Sequence, residues 1–272
     1  MLSQVSQDHL WLTGDCNSEI PIQDRGPECT WNSTAAGRPI YLLGDSLAGS
    51  LSEAILGAGE VLGRPVVAGT QGACPFINNE VHIDGRLDSE CTGFVSESTS
   101  WLAQQPSTDV VISSSLGYLG LEAVDLVFPI GSQPTNKSVN KKKNYLDGLS
   151  YTVKLFTDAG HRVHVVLPPP GFPSTLNGNN AWYPSQCNTL QALTDIANCG
   201  ETRPEDEVIA ETTALYSEVT ARVRAAGGSA IDYRAEVCNG GKCSTNVNNF
   251  WRYLDGTHIS EQLAPLFTRY VK

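Results

Sequence analysis

The chain is short of charge, and of basic charge above all. Charged residues are 17% of its 272 positions, and 18 Lys and Arg stand against 29 Asp and Glu, a net charge of −11. A phosphate backbone needs a basic surface, so nucleic acid is excluded as a partner. Docking on anionic lipid through overall charge is excluded on the same ground. No stretch reaches the roughly 18 apolar residues of a membrane-spanning helix. The opening MLSQVSQDHLWLTGD has neither a basic n-region nor an apolar h-region, so it does not read as a signal peptide. Methionine is lacking beyond Met1. We expect Met1 to be an added start on a fragment of a longer protein. There is no internal repeat and no low-complexity tract. Cys-x2-Cys spacing is missing and the histidines do not cluster near the cysteines, which weighs against the rival reading of zinc. We expect no metal and no other cofactor.

What is present points to a globular, oxidised domain. Apolar residues are 40%, enough for a substantial core. The eight cysteines form close pairs along the sequence. We expect sequential disulfides, Cys16–Cys29, Cys74–Cys91, Cys187–Cys199 and Cys238–Cys243. Closing a loop of about 15 residues contributes roughly 3 kcal/mol. Disulfides belong to oxidising compartments. The expected parent is therefore an envelope or membrane protein whose soluble part faces outward.

Residues 1–37 read as an irregular, cysteine-bridged lead-in from a preceding membrane region, and residues 38–272 as the catalytic domain. In the latter, strands alternate with helices. Strands are expected at 39–44, 64–69, 109–112, 161–167 and 229–233. Helices are expected at 47–62, 92–105, 141–159, 204–226 and 259–271. Continuous apolar strands between helices imply a parallel sheet covered on both faces. The fold class is α/β, a three-layer α/β/α sandwich on about five parallel strands with disulfide-stapled loops. Two stretches break the alternation. Residues 119–142 hold an apolar piece followed by Lys137, Lys141, Lys142 and Lys143, read as a solvated loop and helix start or as a contact for an anionic group. Residues 171–202 form a long insertion of the kind that lines sites.

The chemistry is concentrated in two short motifs. Gly44-Asp45-Ser46-Leu47 lies where the first strand passes into the first helix. Ligands of open α/β sheets bind beyond the carboxyl ends of the strands. A serine there sits beside backbone N–H groups that can hold an oxyanion, and it needs a base to become a nucleophile. Asp255-Gly256-Thr257-His258 offers that base. Three residues on a loop leading into a helix let Asp255 reach the ring nitrogen facing away from Ser46. His161 and His164 belong to packing or surface, His9 to the lead-in and His82 to a loop.

In this order and placement the two motifs resemble the SGNH (GDSL-type) hydrolase superfamily, over about residues 38–272. Leu42-Leu43-Gly44-Asp45-Ser46, Gly72-Ala73-Cys74-Pro75, Cys91, Asp109-Val-Val-Ile112 and Cys238 through Cys243 before Asp255-x-x-His258-x-Ser260 resemble the SGNH domains fused to bacterial acyltransferase family 3 membrane proteins. The resemblance implies Ser, His and Asp catalysis without a metal, on the extracytoplasmic face, tethered to the membrane in the full-length protein. It implies Ser46 as nucleophile, His258 as base and Asp255 as its orienter. It implies oxyanion donors at Ser46 and Gly72, with Gly69 as the alternative. Where the superfamily has Gly-x-Asn, this chain reads Ser113-Ser114-Ser115-Leu116-Gly117-Tyr118-Leu119, without Asn. Ser114 or Ser115 would replace that donor, or Asn78 or Asn79 after Cys74. Losing one donor costs about 100- to 1000-fold in turnover. Trp182 and Tyr183 are candidate sugar platforms, whereas Trp101 and Trp251 read as core or rim. Asn32 and Asn136 open glycosylation sequons of the kind chance supplies.

The expected function is O-acyl transfer, with acetyl or succinyl delivered by a membrane acyltransferase domain of the same parent chain. The acceptor is a hydroxyl of an envelope glycan or glycolipid. An acyl-glycan esterase shares the chemistry with water as acceptor. A non-catalytic glycan-binding module is the third reading.

Overall fold

In the computed structural model of the protein, residues 10–12, 14–132, 138–172, 182–183, 199–247, 250–263 and 270 are described. The strands of the main sheet are β1 (Thr30–Trp31), β2 (Ile40–Gly44), β3 (Val66–Thr70), β6 (Asp109–Ser113), β8 (Arg162–Val166) and β10 (Ser229–Ile231). Their order is β1-β3-β2-β6-β8-β10. All neighbours pair parallel except β1, which runs antiparallel to β3 at the edge. The expected five parallel strands are therefore present, with one antiparallel strand added from the stretch read as an irregular lead-in. Ile22 from that stretch is in the core, and Arg25 donates to the carbonyls of Ser18, Ile20 and Thr70.

The strands are apolar on both sides because both sides are covered. Tyr41, Leu43, Val110 and Ile112 face one hydrophobic cluster, built with α3 (Ser89–Leu102) and α4 (Ser138–Asp158). Ile40, Leu42 and Val111 face the other, built with α1 (Ser46–Gly49), α2 (Ser52–Leu62) and the residues around Trp251 and Tyr253. The molecule is thus a mixed α/β sandwich. The helix α5 (Glu205–Ala225) carries acidic residues in its first turn and arginines in its last, as the helix dipole favours. One further helical turn, α6, spans Arg234–Val237.

Several expectations shift. The helix read at 47–62 is two helices, because the Ser50 hydroxyl donates to the Leu47 carbonyl and its N–H closes the first turn. The apolar piece near 124 is β7 (Val124–Val127), which pairs with β4 (Glu80–Ile83), itself paired with β5 (Arg86–Leu87). Period-2 patterning over so few residues is too brief to signal strands. The helix expected from Ile259 does not start there: Ile259 bridges Tyr253, and residues 261–263 form a turn. Residues 264–269 of that expected helix lie outside the described residues. So does most of the 171–202 insertion. At its end β9 (Thr202–Pro204) joins β12 (Lys242–Ser244), which also pairs with β11 (Cys238–Asn239).

Cys16 is bonded to Cys29, Cys74 to Cys91 and Cys238 to Cys243. Cys199 is also in a disulfide, and Cys187 lies outside the described residues.

Candidate active site

The parallel strands place their carboxyl ends on one edge, and three turns meet there. Ser46 opens α1 directly after β2, where the first N–H groups of a helix have no intrahelical partner. Gly44 makes this turn at φ +150°, and a Cβ on it would stand 1.8 Å from the Ser113 carbonyl oxygen of β6. The Gly72–Ala73 turn follows β3, with Ala73 at φ +58°. Residues 114–119 follow β6.

The fourth element comes from the far end of the chain. The Tyr253–Ile259 bridge closes a loop, and the Leu254 N–H donates to the His258 carbonyl at 2.9 Å. Phe172 N–H donates to the Gly256 carbonyl, and the Tyr253 hydroxyl donates to the Pro170 carbonyl at 2.8 Å. The loop is therefore pinned to the chain just after β8.

This loop carries His258 to Ser46, with Nε2 2.7 Å from the Ser46 Oγ. On the other side of the ring, Nδ1 lies 2.7 Å from Asp255 Oδ2. Asp255 Oδ1 accepts from the N–H groups of Thr257 and His258 at 2.7 and 2.8 Å and from the Thr257 hydroxyl. Burial pushes the Asp255 carboxyl up, but its hydrogen bonds from His258 and Thr257 prevail and hold it below the usual carboxylate range. Asp255 thus stays ionised and holds His258 with its Nδ1 proton inward. Ser46 and His258 open on a cleft of about 260 Å³ also walled by Ala73, Ser115, Tyr118 and Leu121, with Asp255 behind the ring.

Sequence reading missed a second carboxylate. Asp45 is 1% exposed and caps α1 by accepting from Leu47 N–H at 2.8 Å. Its Oδ2 accepts from Ser115 N–H at 2.7 Å and from the Tyr118 hydroxyl at 2.8 Å. Burial pushes its carboxyl up against the pull of these bonds. Asp45 thereby ties the serine turn to the residues after β6. No sequence signal pairs Asp45 with Tyr118, which lies 73 residues away.

The other candidates separate. Ser115 lines the cleft, and its Oγ accepts from Gly117 N–H at 3.0 Å. Ser114 is buried beside Ile112 and Tyr145 and accepts from Phe76 N–H, so it does not face the cleft. Gly72 is exposed in its turn and Gly69 is packed under Ile22 and Leu43. Asn78 and Asn79 turn to α4: the Asn78 N–H donates to Thr152 Oγ1 and the Asn79 amide to the Asn144 carbonyl. Neither lines the cleft.

Trp182 is 1% exposed, 5.4 Å from Trp251 and donates to the Cys199 carbonyl, so it is core and not a platform. Tyr183 is 47% exposed. Among the lysines, Lys142 pairs with Glu218 and Lys143 with Asp147, and Lys141 is buried against the Leu121 carbonyl. They do not form a free basic patch, and Lys137 lies outside the described residues.

The model of one family, the SGNH domain fused to AT3 domains, matches residues 15–270. The chain belongs to that family. A solved structure similar to this SGNH domain is the periplasmic domain of a lipopolysaccharide acetyltransferase from Salmonella ser. Paratyphi A. It has a TM-score of 0.63 at 20% identity, over 96% of this chain and 90% of that one. A candidate acylhydrolase from Bacteroides fragilis NCTC 9343 aligns over 98% of this chain and 100% of that one, at 12% identity and a TM-score of 0.42. Curated protein sequences yield no match. The disulfides place the SGNH domain in an oxidising, extracytoplasmic compartment. Among the described residues no helix is long and apolar enough to cross a membrane.

Proposed function

We propose that the domain is a serine O-acyltransferase acting on a hydroxyl of a cell-envelope glycan or glycolipid. The observation that carries this reading is the unbroken hydrogen-bond chain Ser46–His258–Asp255 at the mouth of a solvent-open cleft. The similarity to a lipopolysaccharide acetyltransferase domain supports the choice of acceptor. A membrane acyltransferase domain of the same parent chain supplies the acyl group, acetyl or succinyl.

In this mechanism Ser46 Oγ attacks the acyl carbonyl while His258 Nε2 takes its proton. The donor's leaving group departs with that proton and acyl-Ser46 remains. His258 then takes the proton of the acceptor hydroxyl as its oxygen attacks, and Ser46 leaves with the proton. Asp255 stabilises the imidazolium in both steps. The developing oxyanion receives the Ser46 N–H and a donor from the Gly72–Ala73 turn. The third donor is the Ser115 hydroxyl, whose oxygen accepts from Gly117 and whose proton is free to point into the cleft. Ser115→Ala is expected to lower the acylation rate about 100-fold or more, measured by stopped-flow with an activated acyl ester.

The deciding test is intact-protein mass after treatment with a fluorophosphonate. An adduct on wild type and none on Ser46→Ala is expected. No adduct on folded, oxidised protein would sink the reading and leave a glycan-binding module. Product analysis with an added glycan then separates transfer from hydrolysis, and acyl release to water alone would make the domain an esterase.

A further inference from the structure

We propose that Trp11 is a positioning residue for the nucleophile: its indole is the outer support of α1, the one-turn helix that carries Ser46. The proposal rests on the acyl-transfer reading above in taking Ser46 as the nucleophile. Leu10–Leu12 forms a 3-10 turn that touches both α1 and α2. Trp11 is 8% exposed there. A Cβ on Gly49, the last residue of α1, would collide first with the indole Cδ2, and would stand 2.7 and 2.8 Å from Cε3 and Cε2. Approach centred on the fused bond, with its two neighbours equally near, means that the face of the ring lies flat on the Gly49 backbone. A side chain at Gly49 has no room.

α1 needs such a support. Its four residues are far below the roughly 12–15 at which a helix holds by itself. Its inner side rests on the sheet through the fully buried Ala48. The Gly49 N–H donates to the Asp45 carbonyl at 3.1 Å and the Ser50 N–H to the Ser46 carbonyl at 2.9 Å. A shift at Gly49 is therefore passed to Ser46 within one turn. The Leu10–Leu12 turn is itself fastened to α2. The Leu10 N–H donates to Glu53 Oε1 at 2.9 Å, and Glu53 Oε2 accepts from the Ser52 hydroxyl at 3.1 Å. Trp11 thus stands on α2 and braces α1 across the break at Ser50. Its indole N–H is buried without a hydrogen-bond partner among the described residues, so a polar anchor does not hold the ring in place. A phenyl ring would avoid the cost of that unmade bond, but the fused bond that lies over Gly49 belongs to the indole alone. Trp11 does not line the cleft, and it acts through α1. The Ser46 Oγ must meet His258 Nε2 at 2.7 Å. Misplacing reacting groups by about 1 Å costs up to about 100-fold in rate.

The test is stopped-flow acylation of the folded, oxidised protein by an activated acyl ester, which separates the maximal rate from half-saturation. Trp11→Ala is expected to lower the maximal rate about tenfold or more with little change in half-saturation. Trp11→Phe should fall between Trp11→Ala and wild type. Gly49→Ala should also slow acylation, because its methyl drives the indole away. Trp11→Ala combined with Gly49→Ala should acylate faster than Gly49→Ala alone, because the methyl then has room and the two changes are not additive. Phe156→Leu, in the core beside His161, controls for general loss of stability and should acylate at the wild-type rate. In protein with ¹⁵N-labelled histidine, the His258 Nε2 shift reports its hydrogen bond with Ser46 without any reagent. Trp11→Ala should move that shift and Phe156→Leu should not. Trp11→Phe and Gly49→Ala carry the test if Trp11→Ala does not fold. A wild-type maximal rate in these variants, or a loss matched by Phe156→Leu, overturns the assignment. Wild-type protein that is not acylated removes the acyl-transfer reading, whereas an Nε2 shift unmoved by Trp11→Ala removes the role of Trp11 alone.

Discussion

Asp45 and Asp255 are two carboxylates with opposite tasks, and their surroundings decide which does what. Asp255 accepts from the His258 ring, the backbone and the Thr257 hydroxyl of its own loop and is held ionised. Asp255→Asn keeps the shape but presents an amide N–H where an acceptor is needed, which favours the wrong histidine tautomer. A loss of about 10,000-fold in turnover is expected with little change in KM, read with an activated acyl ester. Asp45 is structural in its chemistry, since all three of its partners donate to it. Asp45→Asn turns one acceptor into a donor facing Ser115 N–H and the Tyr118 hydroxyl. A thermal melt should show destabilisation of about 1–3 kcal/mol. Fluorophosphonate labelling should slow as well, because Ser115 is released from the cleft wall.

The element that most directly positions the chemistry is the β2-to-α1 turn. Gly44 brings β2 so close to the end of β6 that any Cβ would collide with the Ser113 carbonyl and with the Ala48 side chain. Its φ also lies where L side chains are strained. Gly44→Ala must therefore push β2 and β6 apart at the carboxyl edge, where Ser46 and Ser115 both hang. Soluble yield is expected to fall and the remaining protein to label poorly, while Gly93→Ala, on an open stretch of α3, leaves both unchanged. The break between α1 and α2 has the same logic. One helical turn is sufficient to orient Ser46, and the chain then redirects at Ser50 so that Leu51, Ala54, Ile55 and Ala58 can cover the sheet.

At the scale of the whole molecule, the edge opposite the site is held by an ion cluster around the buried Asp109. Asp109 Oδ2 meets Arg64 at 2.5 Å and Arg162 at 2.6 Å, and its Oδ1 meets His164 at 3.0 Å. Burial pushes Asp109 up, but the hydrogen bonds from His164, Arg162 and Arg64 outweigh it and hold the carboxyl well below the usual range. A carboxylate with a depressed folded pKa stabilises the fold above its unfolded value near pH 4. That stability is lost as pH falls through the depressed folded value. Urea unfolding as a function of pH should show this as an acid limb that Asp109→Asn flattens. The same substitution should cost about 3 kcal/mol at neutral pH, because it leaves Arg64 partly buried beside a neutral side chain.

Much of this protein is written in local sequence. Apolar runs such as Ile40–Leu43 and Val110–Ile112 mark strands buried on both faces, because only a covered sheet tolerates them. Gly44-Asp45-Ser46 and Asp255-x-x-His258 mark the site, because a serine at a strand end and a carboxylate three residues from an imidazole are short-range arrangements. Cysteines 5 to 17 residues apart likewise find each other locally. The tertiary structure alone decided what depends on distant partners. It placed Thr30–Trp31 on the sheet edge, where only pairing with β3 makes a strand of a segment too short to read as one. It buried Trp182 against Trp251, turned Asn78 and Asn79 to α4, and neutralised the lysine run with Glu218, Asp147 and a carbonyl. It also set Ser115 and Tyr118 on Asp45. Each of these follows from which surfaces meet when the sheet closes, and no spacing within the chain encodes such meetings.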